Sequence, residues 1–382
     1  MSLELLREKI DKVDDELLRL FEERMGIAGE IAAYKQEQGL PVLDRGREAT
    51  KLKGLSGKIA PGLEQYAHVL YDMIFELSRS YQGSMQEHGS VLHGQIQDAI
   101  SACTNKPFPS NASVACQGAP GAFSQLAAEK LFRRPAIEYF KTFDSVFSAI
   151  ESGFCEYGVL PLENSTAGSV TKIYSLMQSR DFKIVRSTRL KIDHHLVAKK
   201  GVMLEDIREV FSHEQAISQC ARYLEGLGAN VKITHCENTA AAAEIVASSK
   251  RHDVAAICSY SCVDMYNLSC IDRDIVDHSN NYTRFICISK RLEIYPGADK
   301  TSILMVLPHQ PGSLYKALAR FYSLGINLLK LESRPLPERD FQFMFYFDLE
   351  TSVYSEEFAN LLEHMQEICQ ELKYLGSYSE VV

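Results

Sequence analysis

The sequence predicts a multidomain chain: an all-helical block, a two-lobed α/β block and a small α+β block of ferredoxin-like strand order. Three observations carry this. At 382 residues the chain exceeds one ordinary domain. Its apolar residues recur at three-and-four spacing as far as about residue 82, and from Ala112 to Lys290 short β-branched runs alternate with helical patterns. After the break "YPGADK", a strand-helix-strand-strand-helix succession runs from Thr301 toward Val382, with "YSEVV" as a last strand.

The helical block opens with one long pattern. Leu3, Leu6, Ile10, Val13, Leu17 and Leu20 form a single stripe. The next stripe position is Arg24; Ile27, Ala28 and Ile31 restore it, and Lys35 falls on it again. Eleven residues make about three turns, so both cations point the same way, roughly 16 Å apart. A helix reaching about Gln38 spans roughly 50 Å, more than an 80-residue globule is wide, so a second copy is expected to cover the stripe. Two cations inside that seam require an anionic ligand, because buried charge without a partner is too costly. Asp44 and Glu48 stand four apart, Arg47 adjoins Glu48, Ser78 and Gln82 stand four apart, and Arg7 lies at the edge of the stripe, within reach of a partner chain. Taken singly, each is an ordinary snorkelling surface side chain. Jointly they describe a pocket for a small dicarboxylate, with arginines suited to bidentate carboxylate binding. Pro41 ends the first helix, a second starts near Asp44, and "LEQYAHVLYDMIFELSRSYQ" is a third.

Residues 86–111 have linker composition, although Val91, Leu92, Ile96 and Ile100 support a short amphipathic helix. In the α/β block, "ASVACQ", "YGVLPLEN", "FKIVRS", "IREVFSH", "NVKITH", "VAAICS" and "TRFICIS" are strands, mostly parallel. Gly118, Pro120 and Gly121 lie between a strand and a helix, where backbone amides can receive an anion, but they do not form a dinucleotide fingerprint. Ser165, Thr166 and Thr239 suit helix caps.

Composition narrows the function classes. A net charge of -9 argues against a nucleic-acid or anionic-membrane footprint. The start alternates charges with aliphatics, unlike a signal peptide, and no apolar run reaches the roughly 18 residues of a membrane helix, so a cytoplasmic location is expected. The ten cysteines are then expected as thiols. Cys258 and Cys262 stand four apart without a second pair to complete a zinc pattern, and neither metal nor cofactor is expected.

Residues 1 to 82 resemble the all-helical chorismate mutases, whose motif matches at Arg7, Arg24, Lys35, Asp44, Arg47, Glu48, Ser78 and Gln82. The resemblance implies a domain-swapped dimer that rearranges chorismate to prephenate. Arg7 of the partner subunit, Arg24 and Arg47 would hold carboxylates, and Lys35 and Gln82 would donate to the ether oxygen. Glu48 would accept from the ring hydroxyl, with Asp44 and Ser78 supporting the pocket. Such a site compacts a flexible diacid and stabilises charge on the breaking ether.

Residues 113 to 290 resemble the prephenate dehydratases through Thr283-Arg284-Phe285, Glu163-Asn164, Ser212-His213 with Gln215 and Gln219, and Glu237. That family implies a two-lobed, periplasmic-binding-protein-like fold. Its chemistry is the loss of carbon dioxide and hydroxide from prephenate to give phenylpyruvate. Thr283 would donate to the leaving hydroxyl, and Glu163 or Glu237 would supply the proton. Asn164, Ser212, Gln219 and Phe285 would orient substrate, and Arg284 would bind its carboxylate or brace the fold. Ala119 and Ala122 depart from the family, which has proline and a hydroxyl residue there.

Residues 300 to 376 resemble the ACT domain that follows such dehydratases, through Pro311, Gly312, Ser313 and Leu314, and through Glu332, Ser333, Arg334 and Pro335. Ser313 and Tyr315 replace smaller or aliphatic residues. The resemblance implies feedback binding of L-phenylalanine, its carboxylate received at a helix N-terminus. The division expected is 1–85 mutase, 86–111 linker, 112–293 dehydratase and 299–377 ACT. The assembly would be a homodimer, or a tetramer if swapping and ACT pairing use different partners. A ligand-sensing regulator and an enzyme active only as a mutase are the rival readings.

Overall fold

A computed structural model describes residues 2–55, 57–85, 91–336, 342–355, 358, 361–362, 365–366 and 368–382. Helix α1 (Leu3–Glu37) is a single 35-residue element. The Ser2 side chain caps it by accepting from the Leu5 amide at 3.3 Å, and Arg19 pairs with Glu16 and Glu23 on its solvent side. It stops at Gln38, followed by Gly39 in the left-handed region at φ 63° and then by Pro41. Helices α2 (Arg45–Lys53) and α3 (Glu64–Ser84) follow, and α3 packs on α1 where Ala28 and Ala32 are buried. The first six stripe residues of α1 remain 42–59 % exposed in the single chain. Helix α4 (Val91–Cys103) forms within the expected linker, burying Ile96 and Ala99.

The α/β part runs β1 (Ser113–Gln117), α5 (Phe123–Leu131), β2 (Ala136–Phe140), α6 (Phe143–Glu151), β3 (Tyr157–Asn164), β4 (Gly168–Ser169), α7 (Thr171–Ser179) and β5 (Lys183–Lys191). It continues with β6 (His195–Ala198), β7 (Glu209–Ser212), α8 (Glu214–Gln219), α9 (Ala221–Gly226), β8 (Lys232–His235), α10 (Thr239–Ser248), β9 (Val254–Cys258), α11 (Ser261–Met265), β10 (Ser269–Asp272) and β11 (Tyr282–Ser289). The C-terminal elements are β12 (Lys300–Val306), α12 (Ser313–Ser323), β13 (Asn327–Pro335), β14 (Phe343–Glu350), β15 (Glu371–Tyr378) and β16 (Glu380–Val381).

Two compact units result, residues 1–97 with 303–373 and residues 98–302 with 374–382. The second contains two sheets. One has the order β16-β5-β11-β3-β1-β2, with β4 beside β3; the other is β10-β6-β9-β7-β8. Each has its own core, one around Val114, Phe132 and Val159, the other shared between the Ala240–Val246 face of α10 and strands β7 and β9. The expectation of mostly parallel strands is corrected. Strand β11 is antiparallel to both β3 and β5, and β6 is antiparallel to β9 and β10, because the chain returns through long connections to complete sheets begun earlier. Strands β2, β4, β6 and β10 are absent from the sequence reading.

The third sheet has the order β13-β14-β12-β15. The sequence pattern predicts a last helix reaching Gly376, but strand β15 begins at Glu371, where the Gln370 amide already donates to the Val306 carbonyl at 2.7 Å. Pairing beside β12 overrides the helical propensity of "ELKYL". Within the second unit Gly376, at φ 138°, lies against the Ile184 backbone so closely that a Cβ would overlap the Ile184 carbonyl oxygen. Gly376→Ala is expected to destabilise the chain by about 1–3 kcal/mol, read as a lower urea midpoint.

Candidate active sites

In the helical unit, the short apolar turn of α1 brings Arg24 beside α3. Its guanidinium donates to the Ser78 hydroxyl and lies 5.9 Å from the Phe75 ring. The Ser78 hydroxyl donates on to the Ile74 carbonyl at 2.8 Å. Burial pushes Arg24 down from its ordinary value, opposed by Tyr71 and Glu48. Lys35, about three turns further along the same face, donates to the Val42 carbonyl at 2.6 Å and so ties the end of α1 to the loop before α2. Asp44 is the α2 cap, accepting from the Arg47 amide at 2.9 Å. Gln82 is buried, and its Oε1 has no hydrogen-bond partner among the described residues. Arg24, Glu48 and Ser78 thus share one locality. Arg47 is exposed on the rim of a cavity of about 370 Å³ with Lys51, Lys58 and Tyr71, and Arg7 is exposed on α1.

Sequence reasoning missed three residues here. Arg79 pairs with both Glu48 and Glu76, and Glu76 in turn receives Arg320 from α12. A lone arginine amid the apolar face of "LYKALARFYS" was the available signal.

In the α/β unit, the pairing of β11 with β3 sets Thr283 opposite Asn164 and Arg284 opposite Glu163. Pleating then sends these two pairs to opposite faces. On one face Asn164 Oδ1 accepts from the Thr166 and Ala167 amides at 3.0 and 2.8 Å, which fixes the amide's orientation. Its Nδ2 therefore points at Asn281 Oδ1 (2.7 Å) and Thr283 Oγ1 (2.9 Å). Asn281 donates to Gln219 at 3.0 Å, Gln219 donates to the Thr166 hydroxyl at 3.1 Å, and His194 Nε2 lies 3.1 Å from Gln219 Oε1. A cleft of about 540 Å³ opens beside this network, between Thr166 and Ala167 on one side and His213, Gln215, Gln219, Asp277 and His278 on the other.

Thr283 accepts from Asn164, and no acceptor takes its own proton among the described residues. His194, absent from the sequence reading along with Asn281, is buried beside Phe123 and pushed down to about 4, chiefly by burial. The dipeptides "HH" and "NN" were visible, but nothing in their spacing tied them to Gln219.

The remaining expected residues lie elsewhere. Arg284 is buried on the opposite face, donating to Glu163 at 3.3 Å and to the Tyr378 hydroxyl at 2.7 Å, with Glu380 at 3.8 Å. Of its two expected roles, these contacts match bracing. Phe285 is 2 % exposed in the core, past the bulge that follows Arg284. The Ser212 hydroxyl is fully buried and donates to the Ile257 carbonyl at 2.8 Å, while His213 caps α8. Glu237 is exposed in the loop before α10.

The glycine loop is not open to an anion. The Gly121 amide donates to Gln125 Oε1, and the Gly121 carbonyl accepts from Ser259 and Ser261. Gly121 must lack a side chain, since a Cβ would stand 2.7 Å from Cys262 Sγ. In the C-terminal module Gly312, at φ 86°, is the cap of α12, and Glu332 to Pro335 close β13.

A helical unit with a cationic pocket and an α/β unit with a polar interlobe cleft define a multidomain enzyme of small carboxylate metabolism. Residues 6–83 match chorismate mutase type II and residues 114–293 match prephenate dehydratase. A bifunctional chorismate mutase/prephenate dehydratase of Aquifex aeolicus is 32 % identical over 382 residues, covering 100 % of this chain and 99 % of that one. The chain belongs to the bifunctional chorismate mutase/prephenate dehydratase family. Two solved structures each align with a TM-score of 0.64. They are a prephenate dehydratase of Arthrobacter aurescens in complex with L-Phe (28 % identity; 70 % of this chain, 89 % of that one) and GqqA, described as a quorum-quenching acylase (30 %; 69 % and 97 %).

Protonating buried His194 costs the folded state stability. Its folded value lies below the unfolded one, so its contribution to stability is fully present above about 6.5 and is lost as pH falls toward about 4. The expected loss is about 1.4 kcal/mol per pH unit across that window. Urea titrations between pH 7 and pH 4.5 should show a shallower slope in His194→Gln.

Proposed function

We infer that the chain converts chorismate to prephenate in its helical block and prephenate to phenylpyruvate in its α/β block, with L-phenylalanine as feedback effector. The observation that carries the second step is the Thr283 hydroxyl, held by Asn164 with its proton left to give, in the network whose Thr166 and Gln219 line the interlobe cleft. Dehydration needs a positioned donor at the departing ring hydroxyl, and aromatisation supplies the driving force once carbon dioxide leaves. Threonine is a very weak acid, so Thr283 acts as a hydrogen-bond donor or relay. Asn164 and Gln219 orient substrate from the same network. Arg284 fastens the C-terminal segment through Tyr378 and Glu380, and Glu163 pairs with it.

For the first step, Arg24, Arg47 and Arg7 of the partner subunit clamp the two carboxylates. Lys35 and Gln82 stabilise the ether oxygen, and Glu48 takes the ring hydroxyl. The exposed stripe of α1 supports a homodimer, in which a second copy would cover its apolar residues. The working division is 1–85, linker 86–111, 112–293 and an ACT module at 299–377. That module would receive phenylalanine at the Pro311–Leu314 loop and the Glu332–Pro335 strand end, as the L-Phe complex of the Arthrobacter relative supports. Among the described residues no helix is long and apolar enough to cross a membrane. The ten cysteines stand as free thiols, which suits a reducing cytoplasm.

A proton-NMR time course with chorismate tests both steps. Prephenate should rise and then decay to phenylpyruvate, the second phase slowed by phenylalanine. Thr283→Ala should lower dehydratase turnover by about 10²-fold or more and leave the mutase intact, and Lys35→Ala should do the reverse. Unchanged phenylpyruvate output from Thr283→Ala would overturn the assignment of the donor. Arg7→Ala and Arg47→Ala should each be inactive as mutases, yet mixing and refolding the two together should restore turnover. Continued inactivity of the mixture would exclude a site shared between chains.

A further inference from the structure

Four charged side chains form an unbroken alternating chain through the interior of the first unit. Arg320 on α12 is 1 % exposed; its guanidinium donates to the Glu76 carbonyl at 3.1 Å and approaches the Glu76 carboxylate at 3.3 Å. The other Glu76 oxygen accepts from Arg79, and Arg79 donates with its second nitrogen to Glu48 Oε1. Glu76 and Arg79 are 4 % and 6 % exposed, so the central pair has no access to solvent screening. Glu48 ends the chain at a half-buried position, with the second oxygen of its carboxylate free of hydrogen bonds among the described residues.

We propose that Arg79 is the positioning residue of the mutase step and that Arg320, from the C-terminal module, anchors it. The inference rests on the reading of Glu48 as the acceptor for the substrate's ring hydroxyl. Arg79 occupies Oε1 and thereby sets the carboxylate's orientation, leaving Oε2 for the substrate. Arg79 can hold that direction only if it is fixed itself. Glu76 fixes it by the i, i+3 pair, and Arg320 fixes Glu76 through both backbone and side chain. A guanidinium is needed at both places, because each must reach two acceptors in one plane, which an ammonium does not do. The mutase pocket is thus organised in part by a residue about 240 positions downstream, outside the helical block that carries the other pocket residues.

The test uses the full-length chain with chorismate. Arg79→Met and Arg320→Met should lower mutase kcat by about 10-fold to 100-fold with little change in KM, while dehydratase turnover on added prephenate stays at the parent level. Arg79→Lys should recover part of the loss. In a Glu48→Gln background the effect of Arg320→Met should vanish, because the aim of the carboxylate no longer matters. If Glu48→Gln itself keeps full mutase turnover, the reading of Glu48 fails and this inference falls with it. If Glu48→Gln is impaired while Arg79→Met and Arg320→Met are not, the positioning chain alone is wrong. If a methionine variant also loses dehydratase activity, Arg320→Lys replaces it: a kcat loss confined to the mutase supports the chain, and parent kinetics overturn it.

Discussion

The antiparallel pairing of β11 with β3 is the contact on which the α/β unit turns. Because side chains alternate along a strand, one register decides two things together. Thr283 and Asn164 face the polar network beside the cleft, and Arg284 and Glu163 pair on the other side, where Arg284 reaches Tyr378 and Glu380. A slip of one residue would bury the hydroxyl under the C-terminal segment and turn the arginine into the cleft. The bulge after Arg284 restores the apolar sequence Phe285 to Ile288 to the core.

A second constraint governs the helical unit. Arg24, Lys35 and Arg79 sit on faces that also pack, so each cation must be compensated. Arg24 is met by Ser78 and the Phe75 ring, Lys35 by a carbonyl, and Arg79 by two carboxylates. These contacts fix the side chains within the folded unit. The long α1 stripe remains the largest exposed apolar feature of that unit's first helix, consistent with use by a second copy.

Much of this was legible in the chain. The three-and-four stripe, its interruption at Arg24 and Lys35, and the "TRF" and "PLENS" stretches each identified the right element. Helix α1 and strand β3 appear where the pattern puts them. What failed was facing. Glu163 and Asn164 are neighbours in sequence, and only the strand pleat separates the network member from the brace. Ser212 and Phe285 lie in motif stretches but are consumed by the sheet and the core.

The sequence by itself determined the helical block, the α/β block that follows it and the family, because periodicity and motif spacing are local properties. Tertiary structure alone decided that His194, Asn281 and Thr166 join Asn164 and Gln219, and that Arg320 reaches Glu76. Those partners lie from tens to hundreds of residues apart. Their meeting depends on sheet register and on which helix faces which, and no local pattern of residues encodes either.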